Sequence, residues 1–325
     1  MTVTERTTAR VWLALWTVYL VWGSTYLAIR VLVHPTNGAG LPPLVSAGLR
    51  FGFAGLLMLA VTVRRPAADG RPDPLGTRQW AAAAVIGVAL LLGGNGMVSI
   101  AERRVASGPS AVIIATVPIW ATLIAASFGR EAVRARHAVG LALGFAGVAV
   151  LVVGSGGGRL DAVGVGELVV AALSWSAGSV FSRTAPLVRR PLVMTGMEML
   201  CGGIGCLVVG VASGELSGTH LSEVPTRSWI SLGYLVVFGS MLAYTAYVWL
   251  LGNAPLSLVT TYAYVNPLVA VLLGVLLLGE HFTVRSAVAT VVIIAGVVLI
   301  VSRPRAARPA PEVDVPPPLP AESRR

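Results

Sequence analysis

Along the chain, runs of about 20 predominantly apolar residues alternate with short polar, Pro- or Gly-containing breaks, and about 20 is the length a helix needs to cross the hydrocarbon core of a bilayer. The pattern predicts ten such segments, at 11–33, 42–63, 79–101, 107–128, 137–154, 163–184, 192–213, 229–251, 256–278 and 284–302. The expected fold class is an all-α integral membrane protein with ten transmembrane helices. The first segment follows Arg6 and Arg10 as a signal peptide would, but its apolar run is too long and no small-residue cleavage site follows, so it reads as a retained first helix. Residues 1–10 are expected to form a cytoplasmic N-terminal segment. Residues 303–325, rich in Pro, Ala and charge, are expected to form a disordered cytoplasmic tail. Within it Pro316-Pro317-Pro318-Leu319-Pro320 reads as solvated chain or as a polyproline ligand for a partner domain.

The segments repeat. Pro118-Ile119-Trp120 and Pro267-Leu268-Val269 lie 149 residues apart, and the same offset pairs Glu131 with Glu280, Arg136 with Arg285 and Gly147 with Gly296. Upstream, Pro43-Leu44-Val45 pairs with Pro191-Leu192-Val193 and Gly48 with Gly196 at 148, while Trp22 pairs with Trp175 and Arg30 with Arg183 at 153. The predicted units are 11–154 and 163–302, five helices each. An odd number of spans per unit lays the second copy upside down, so the expected architecture is two inverted five-helix repeats. Such repeats recur in secondary transporters, where exchanging the conformations of the halves opens a central site to alternate sides.

Composition narrows the class. With 55% hydrophobic residues, 12% charged and a mean hydropathy of +0.80, the chain lies outside the soluble range. All 24 cations behind the net charge of +10 are arginines, clustered between apolar segments as in a polytopic membrane protein and not on a nucleic-acid-binding face. With the termini cytoplasmic, 17 arginines fall inside and 5 outside, with Arg30 and Arg50 within or near the ends of spans. Cys201 and Cys206 lie five apart, point different ways on a helix, and read as packing residues. His34, His137, His220 and His281 have no zinc spacing, and no P-loop, GxGxxG, GxSxG or HExxH is present. No cofactor or metal, and no enzymatic chemistry, is expected.

The segments Trp22-Gly23-Ser24-Thr25-Tyr26-Leu27-Ala28-Ile29-Arg30, Gly48-Leu49-Arg50-Phe51, and Tyr262-Ala263-Tyr264-Val265-Asn266-Pro267-Leu268 through Leu278-Gly279-Glu280 resemble the EamA-type branch of the drug/metabolite transporter superfamily, over residues 11–302. The first half departs from the Leu-Gly-Glu signature with Phe128-Gly129-Arg130-Glu131. The resemblance implies a multi-pass carrier of the bacterial inner membrane with both termini cytoplasmic and a central apolar cavity lined by spans one, three, four, six, eight and nine. It also implies export of small metabolites, amino acids or drugs. The expected partners are a small-molecule substrate, the lipid bilayer and, for coupled transport, a proton; the chain acts as a monomer or homodimer.

Several residues are candidates for carrying transport. Arg50 lies about 12 Å of helix rise inside the second span, where a charge costs ~2.5–3.5 kcal/mol and must face protein or water. The repeat puts Glu198 at the equivalent place in the seventh span, toward the opposite membrane face. The two read either as gating latches or as a structural arginine and a snorkelling glutamate, and Glu198 is also the candidate proton carrier. Glu167 is its rival nearer a span end. Trp12, Trp16, Tyr19, Trp22 and Tyr26 share one helix face, either lining a pathway or forming an interfacial belt. Trp22 and its mate Trp175 lie deeper and are candidates for the cavity, with Thr25 and Trp120 beside them in sequence motifs. Asn95, Tyr244, Tyr262 and Asn266 are polar groups toward mid-membrane that helices or a ligand must satisfy. Pro118 and Pro267 each remove a backbone donor near mid-span, which favours a kink and a polar spot. Gly140, Gly144 and Gly147 form a small-residue packing face.

A secondary carrier is the leading function on this reading. A channel or passive facilitator without ion coupling is the alternative, although no continuous polar stripe is visible. A phosphate exchanger would need several cations at depth; with Arg50 alone there, the residue count favours a neutral, zwitterionic or cationic substrate.

Overall fold

In the computed structural model the described residues are 3–35, 39–63, 75–128, parts of 139–150, 161–217, 219–254, 262–281 and 283–301, and among them there is no strand. The helices are α1 (Val3–Val33), α2 (Pro43–Thr62), α3 (Thr77–Ala101), α4 (Ser107–Ser127), α5 (Ala162–Ser182), α6 (Pro191–Ala212), α7 (Thr226–Asn253), α8 (Tyr262–Leu278) and α9 (Val284–Val301). The stretches from α1 through α7 are long and apolar enough to cross a membrane; α8 and α9 carry shorter apolar cores, Val265–Leu278 and Val284–Gly296. Most of the predicted segment 137–154, Gly129-Arg130-Glu131 and the tail 303–325 lie outside the described residues.

The most extensive helix pair is α2 against α6, and its chemistry is written in glycine. A Cβ added at Gly48 would stand 2.9 Å from the Gly203 carbonyl, one at Gly55 would stand 2.8 Å from the Gly196 carbonyl, and one at Gly203 only 2.4 Å from the Gly52 amide nitrogen. The backbones therefore touch, as small-residue stripes allow where lipid offers no hydrophobic drive for association. Pairing of 48 with 203 and of 55 with 196 makes the helices antiparallel. The residues 148 apart also exchange these two contacts, Gly48 with Gly196 and Gly55 with Gly203.

Two helices depart from α geometry at corresponding places. α3 runs as a π-helix over Val88–Gly96 and α7 over Leu235–Leu242, each flanked by α-helix. A π segment leaves carbonyls displaced from the usual ladder and is frequent at functional sites; here the Ser174 hydroxyl donates to the Ala89 carbonyl at 2.9 Å. α4 is broken at Ala115–Thr116, with Pro118 in the first turn of its second piece, and Ser176 donates to the Val117 carbonyl at 2.9 Å. Pro267 stands inside α8. The small-residue face at Gly144 and Gly147 packs within the chain, against Ile119 and Ile293.

The ends of α1, α3, α6 and α8 meet the starts of α2, α4 and α7 on one face of the bundle, called distal here because it lies away from the N-terminus of α1. α6 and α8 end alike. Gly214 (φ +77°) and Gly279 (φ +65°) adopt the left-handed conformation that a residue with a Cβ resists, and each turns a following glutamate back toward the bundle. Glu215 accepts from the Leu44 and Val45 amides at 2.9 and 3.0 Å, capping α2. Glu280 accepts from the Ser107 amide and hydroxyl, each at 2.9 Å, and from the Gly108 amide at 3.2 Å, capping α4. Anions at helix N-termini satisfy orphan N–H groups and the positive end of the dipole. The Leu278-Gly279-Glu280 signature thus ties the end of one helix in the second half to the start of another in the first.

Candidate functional site

Between the halves lies a central cleft of about 1050 Å³ of atom-free space, mouth included. α1 contributes Trp22, Thr25, Tyr26 and Ile29, α2 Arg50 and Phe51, α3 Leu91, Gly94, Asn95 and Val98, and α4 the residues around its break. The second half contributes Ala171, Trp175, Met199, Gly239, Ser240, Tyr244, Tyr262, Asn266 and Pro267. Each π segment therefore faces the cleft. Gly94 is required where it stands: a Cβ there would lie 2.9 Å from the Trp175 ring.

The walls are mainly apolar and aromatic. Trp22 sits at the centre of an aromatic cluster, with ring centroids 5.9 Å from Tyr244, 5.1 Å from Tyr247 and 5.3 Å from Tyr262, in edge-on or tilted geometry. Its indole N–H donates to the Gly239 carbonyl at 3.2 Å, within the π segment of α7. The Thr25 hydroxyl donates to the Trp22 carbonyl at 2.6 Å, so it turns toward its own helix. Asn266 is buried, and with its amide oriented to suit its neighbours it donates to the Tyr19 and Tyr262 carbonyls at 3.3 and 3.2 Å.

Arg50 is 6% exposed. Its Nε donates to the Ser240 hydroxyl, itself buried, at 2.8 Å, and its guanidinium carbon lies 4.5 Å from the centroid of the Phe51 ring. Glu198 does not meet it. Glu198 is half-buried on α6 outside the cleft lining, where its charge bears on Tyr244 and Cys201, and the one ion pair among the described residues is Arg104 with Glu167 at 3.9 Å. Trp120 also stays out of the cleft lining, its indole N–H donating to Thr116 at 3.2 Å. The aromatic face of α1 divides: Trp12 and Trp16 are exposed, Tyr19 is buried, and Trp22 and Tyr26 reach the cleft. The cysteines are free.

Sequence reasoning passed over Phe51, Met199 and the Gly239-Ser240 pair as site residues, whereas Tyr26 was already in the aromatic stripe. Gly239-Ser240 carried a signal, since a small-polar pair in an otherwise apolar segment marks a place where another side chain or backbone approaches closely. Glu102, just past an apolar run, carried no such signal. It follows the last residue of α3, is fully buried, and neither carboxylate oxygen has a hydrogen-bond partner. Arg30 lies beside it, donating to the Glu102 and Val105 carbonyls and not to the carboxylate. Burial pushes the Glu102 carboxyl well above the ordinary carboxylate range; Arg30 pulls it down and Glu280 pushes it further up.

The profile of the EamA-like transporter family matches residues 10–153 and again 163–302. This chain belongs to the EamA-like transporter family. It is 39% identical over 293 residues to the uncharacterized inner membrane transporter YedA of Escherichia coli K12, spanning 88% of this chain and 89% of that one. It is 28% identical to the WAT1-related protein At3g02690, chloroplastic, of Arabidopsis thaliana, over 89% of this chain and 69% of that one. A solved crystal structure 19% identical to it superposes with a TM-score of 0.57, covering 90% of this chain and 96% of the other, a likeness of fold. Membership and the apolar helices make this EamA-family chain a multi-pass membrane protein.

Proposed function

We propose that this EamA-family protein is a secondary carrier of the bacterial inner membrane that exports a small metabolite by alternating access. Its ten spans form two inverted five-helix repeats and both termini are cytoplasmic. The observation that carries the reading is the position of the cleft: it lies where the π segments of α3 and α7, corresponding elements of the two halves, face one another. A site built from equivalent elements of inverted halves is the one place that rocking one half against the other exposes to either side in turn. The exchanged glycine contacts of α2 and α6 support the same symmetry. Trp22, Thr25, Asn95, Trp175, Tyr244, Tyr262 and Asn266 surround the substrate. Arg50, Pro118 and Pro267 take part in gating, and the arginine bias of the loops supports the cytoplasmic termini.

The test is flux in proteoliposomes of purified protein, with a panel of radiolabelled amino acids and apolar acids, amides and amines, with and without a pH gradient. A carrier gives saturable uptake that unlabelled substrate on the far side accelerates. Non-saturable flux without that acceleration refutes alternating access and favours a channel or passive facilitator.

A further inference from the structure

The count of cations at depth pointed toward a neutral, zwitterionic or cationic substrate; the geometry around the one deep cation points elsewhere. Arg50 reaches the cleft from α2 with one hydrogen bond, Nε to Ser240 at 2.8 Å. Its Nη2 lies against Gly239, 3.2 Å from where a Cβ would stand, so any larger residue there would press on the guanidinium. Among the described residues no hydrogen bond engages the Nη groups and no ion pair involves Arg50. The ionisable groups that bear on it are Cys206 and Tyr234, neither of them a carboxylate. Among the described residues the cleft lining contains no Asp or Glu. A guanidinium cannot shed its charge, and its two Nη groups hold four N–H donors in a planar fork. Such a charge inside the membrane is best compensated by an anion, and the described residues supply none within the cleft.

We propose that the cleft binds a monoanion, a carboxylate carried on a compact apolar or aromatic body, with the carboxylate on the Nη groups of Arg50. This rests on the reading of the cleft as the substrate site. Ser240 fixes the guanidinium through Nε and Phe51 stacks beneath it, which leaves the Nη edge presented to the ligand. Trp22, Trp175, Tyr244 and Tyr262 supply the rings against which the body packs. One fixed cation matches one negative charge. A phosphate dianion leaves a charge uncompensated in a low-dielectric site, and an amine meets Arg50 with no carboxylate between them.

The experiment is binding to the full chain in detergent, read as the ligand-induced rise in thermal midpoint. It uses matched triplets that differ only in charge: 3-phenylpropionate, 3-phenylpropionamide and 3-phenylpropylamine, with the corresponding sets on indolyl and branched alkyl bodies. At least one triplet is expected to show the acid binding ten-fold or more tighter than its amide and amine. Arg50→Gln is expected to abolish that preference, and Arg50→Lys to keep its sign at reduced strength, since the charge remains and the fork is lost. Should Arg50→Gln not fold, the charge ranking on the native chain still decides. An amine or amide that binds as well as its acid overturns the proposal, as does silence from every triplet. The carrier reading fails separately: an acid that binds with the predicted ranking yet shows no trans-accelerated flux refutes the carrier and leaves the anion site. Saturable, trans-accelerated amine flux refutes the anion site and leaves the carrier.

Discussion

Replacing Gly55 by alanine is expected to destabilise the protein, while the same change three residues earlier is expected to do the opposite. A Cβ at Gly55 would stand 2.5 Å from the Leu200 nitrogen and 2.8 Å from the Gly196 carbonyl, whereas one at Gly52 meets nothing within 4 Å. Relief to ordinary contact requires α2 and α6 to part by about 1 Å along a seam where backbone opposes backbone, so no rotamer change can help. Overpacking of this kind costs about 1–3 kcal/mol, and the absence of a flexible partner puts Gly55→Ala near the top of that range. Alanine returns roughly 1 kcal/mol of helix propensity at either position. Net changes of about 2 kcal/mol destabilising for Gly55→Ala and up to about 1 kcal/mol stabilising for Gly52→Ala follow. Combining Gly55→Ala with Gly203→Ala should cost less than the sum, because the first separation of the helices relieves part of the second clash. SDS titration of the protein in detergent, followed by tryptophan fluorescence, measures each change. Equal stability of Gly55→Ala and Gly52→Ala would refute the close-contact account of the α2–α6 seam.

Two further outcomes concern the distal face. Removing the carboxylate cap on α4 with Glu280→Ala, or the cap on α2 with Glu215→Ala, is expected to cost about 1–2 kcal/mol each in the same titration. The glutamine variants should recover part of it, because one acceptor oxygen remains; full stability in the alanine variants would show the caps to be idle. The third outcome concerns Glu102, whose buried carboxyl holds its proton well above the ordinary range. The folded state then keeps a proton that the unfolded chain releases, so this contribution is fully present below about pH 4.3 and is lost as pH rises from there toward the folded value. Glu102→Gln, which mimics the protonated acid, should flatten the dependence of stability on pH over that window; superimposable profiles for the two proteins would rule the effect out.

What the sequence carried follows from which forces leave a periodic trace. Hydrophobic length set the helices: the segments 42–63, 107–128 and 192–213 fall within a residue or two of α2, α4 and α6, because in a bilayer every backbone group must be satisfied within its own span. Asn95 and Tyr244 also stand 149 residues apart, an offset of the repeat, and Asn95 lies within one π segment while Tyr244 follows just after the other. The π segments themselves left little trace, since an extra residue per turn is a matter of hydrogen-bond register and shows only as Gly93-Gly94-Asn95-Gly96 and Phe238-Gly239-Ser240. Trp120 and Trp22 carry the same residue type at similar depths, yet one faces the cleft and the other bonds to Thr116; the break at Ala115–Thr116 rotates the second piece of α4 relative to the first. Glu102 did not stand out because polarity after an apolar run marks a loop, and nothing local reveals that α1 packs over that loop with Arg30 against its carbonyls.

The joints of the bundle differ in what it takes to undo them, and that difference says where a carrier of this build opens. Along α2 and α6, carbonyl and amide groups of the two backbones lie within a few ångströms over three glycine pairs, so sliding brings backbone into backbone. At the distal face the halves are joined through Glu280 on the amides of α4, Glu215 on the amides of α2, and Ser228 and Ser231 on the α1 carbonyls of Val31 and Ala28. Each of these exchanges for water at a net cost of only about 1 kcal/mol, because donor and acceptor are both re-solvated once released. On the carrier reading, opening at the distal face would break hydrogen bonds that water replaces, with the glycine seam as the closed element about which the halves would turn. On the carrier reading, Glu102 lies at the decisive place in that scheme. It is buried without a partner beside Arg30 and close to Glu280, so water reaching the distal face meets a carboxyl that ionises as soon as it is wetted.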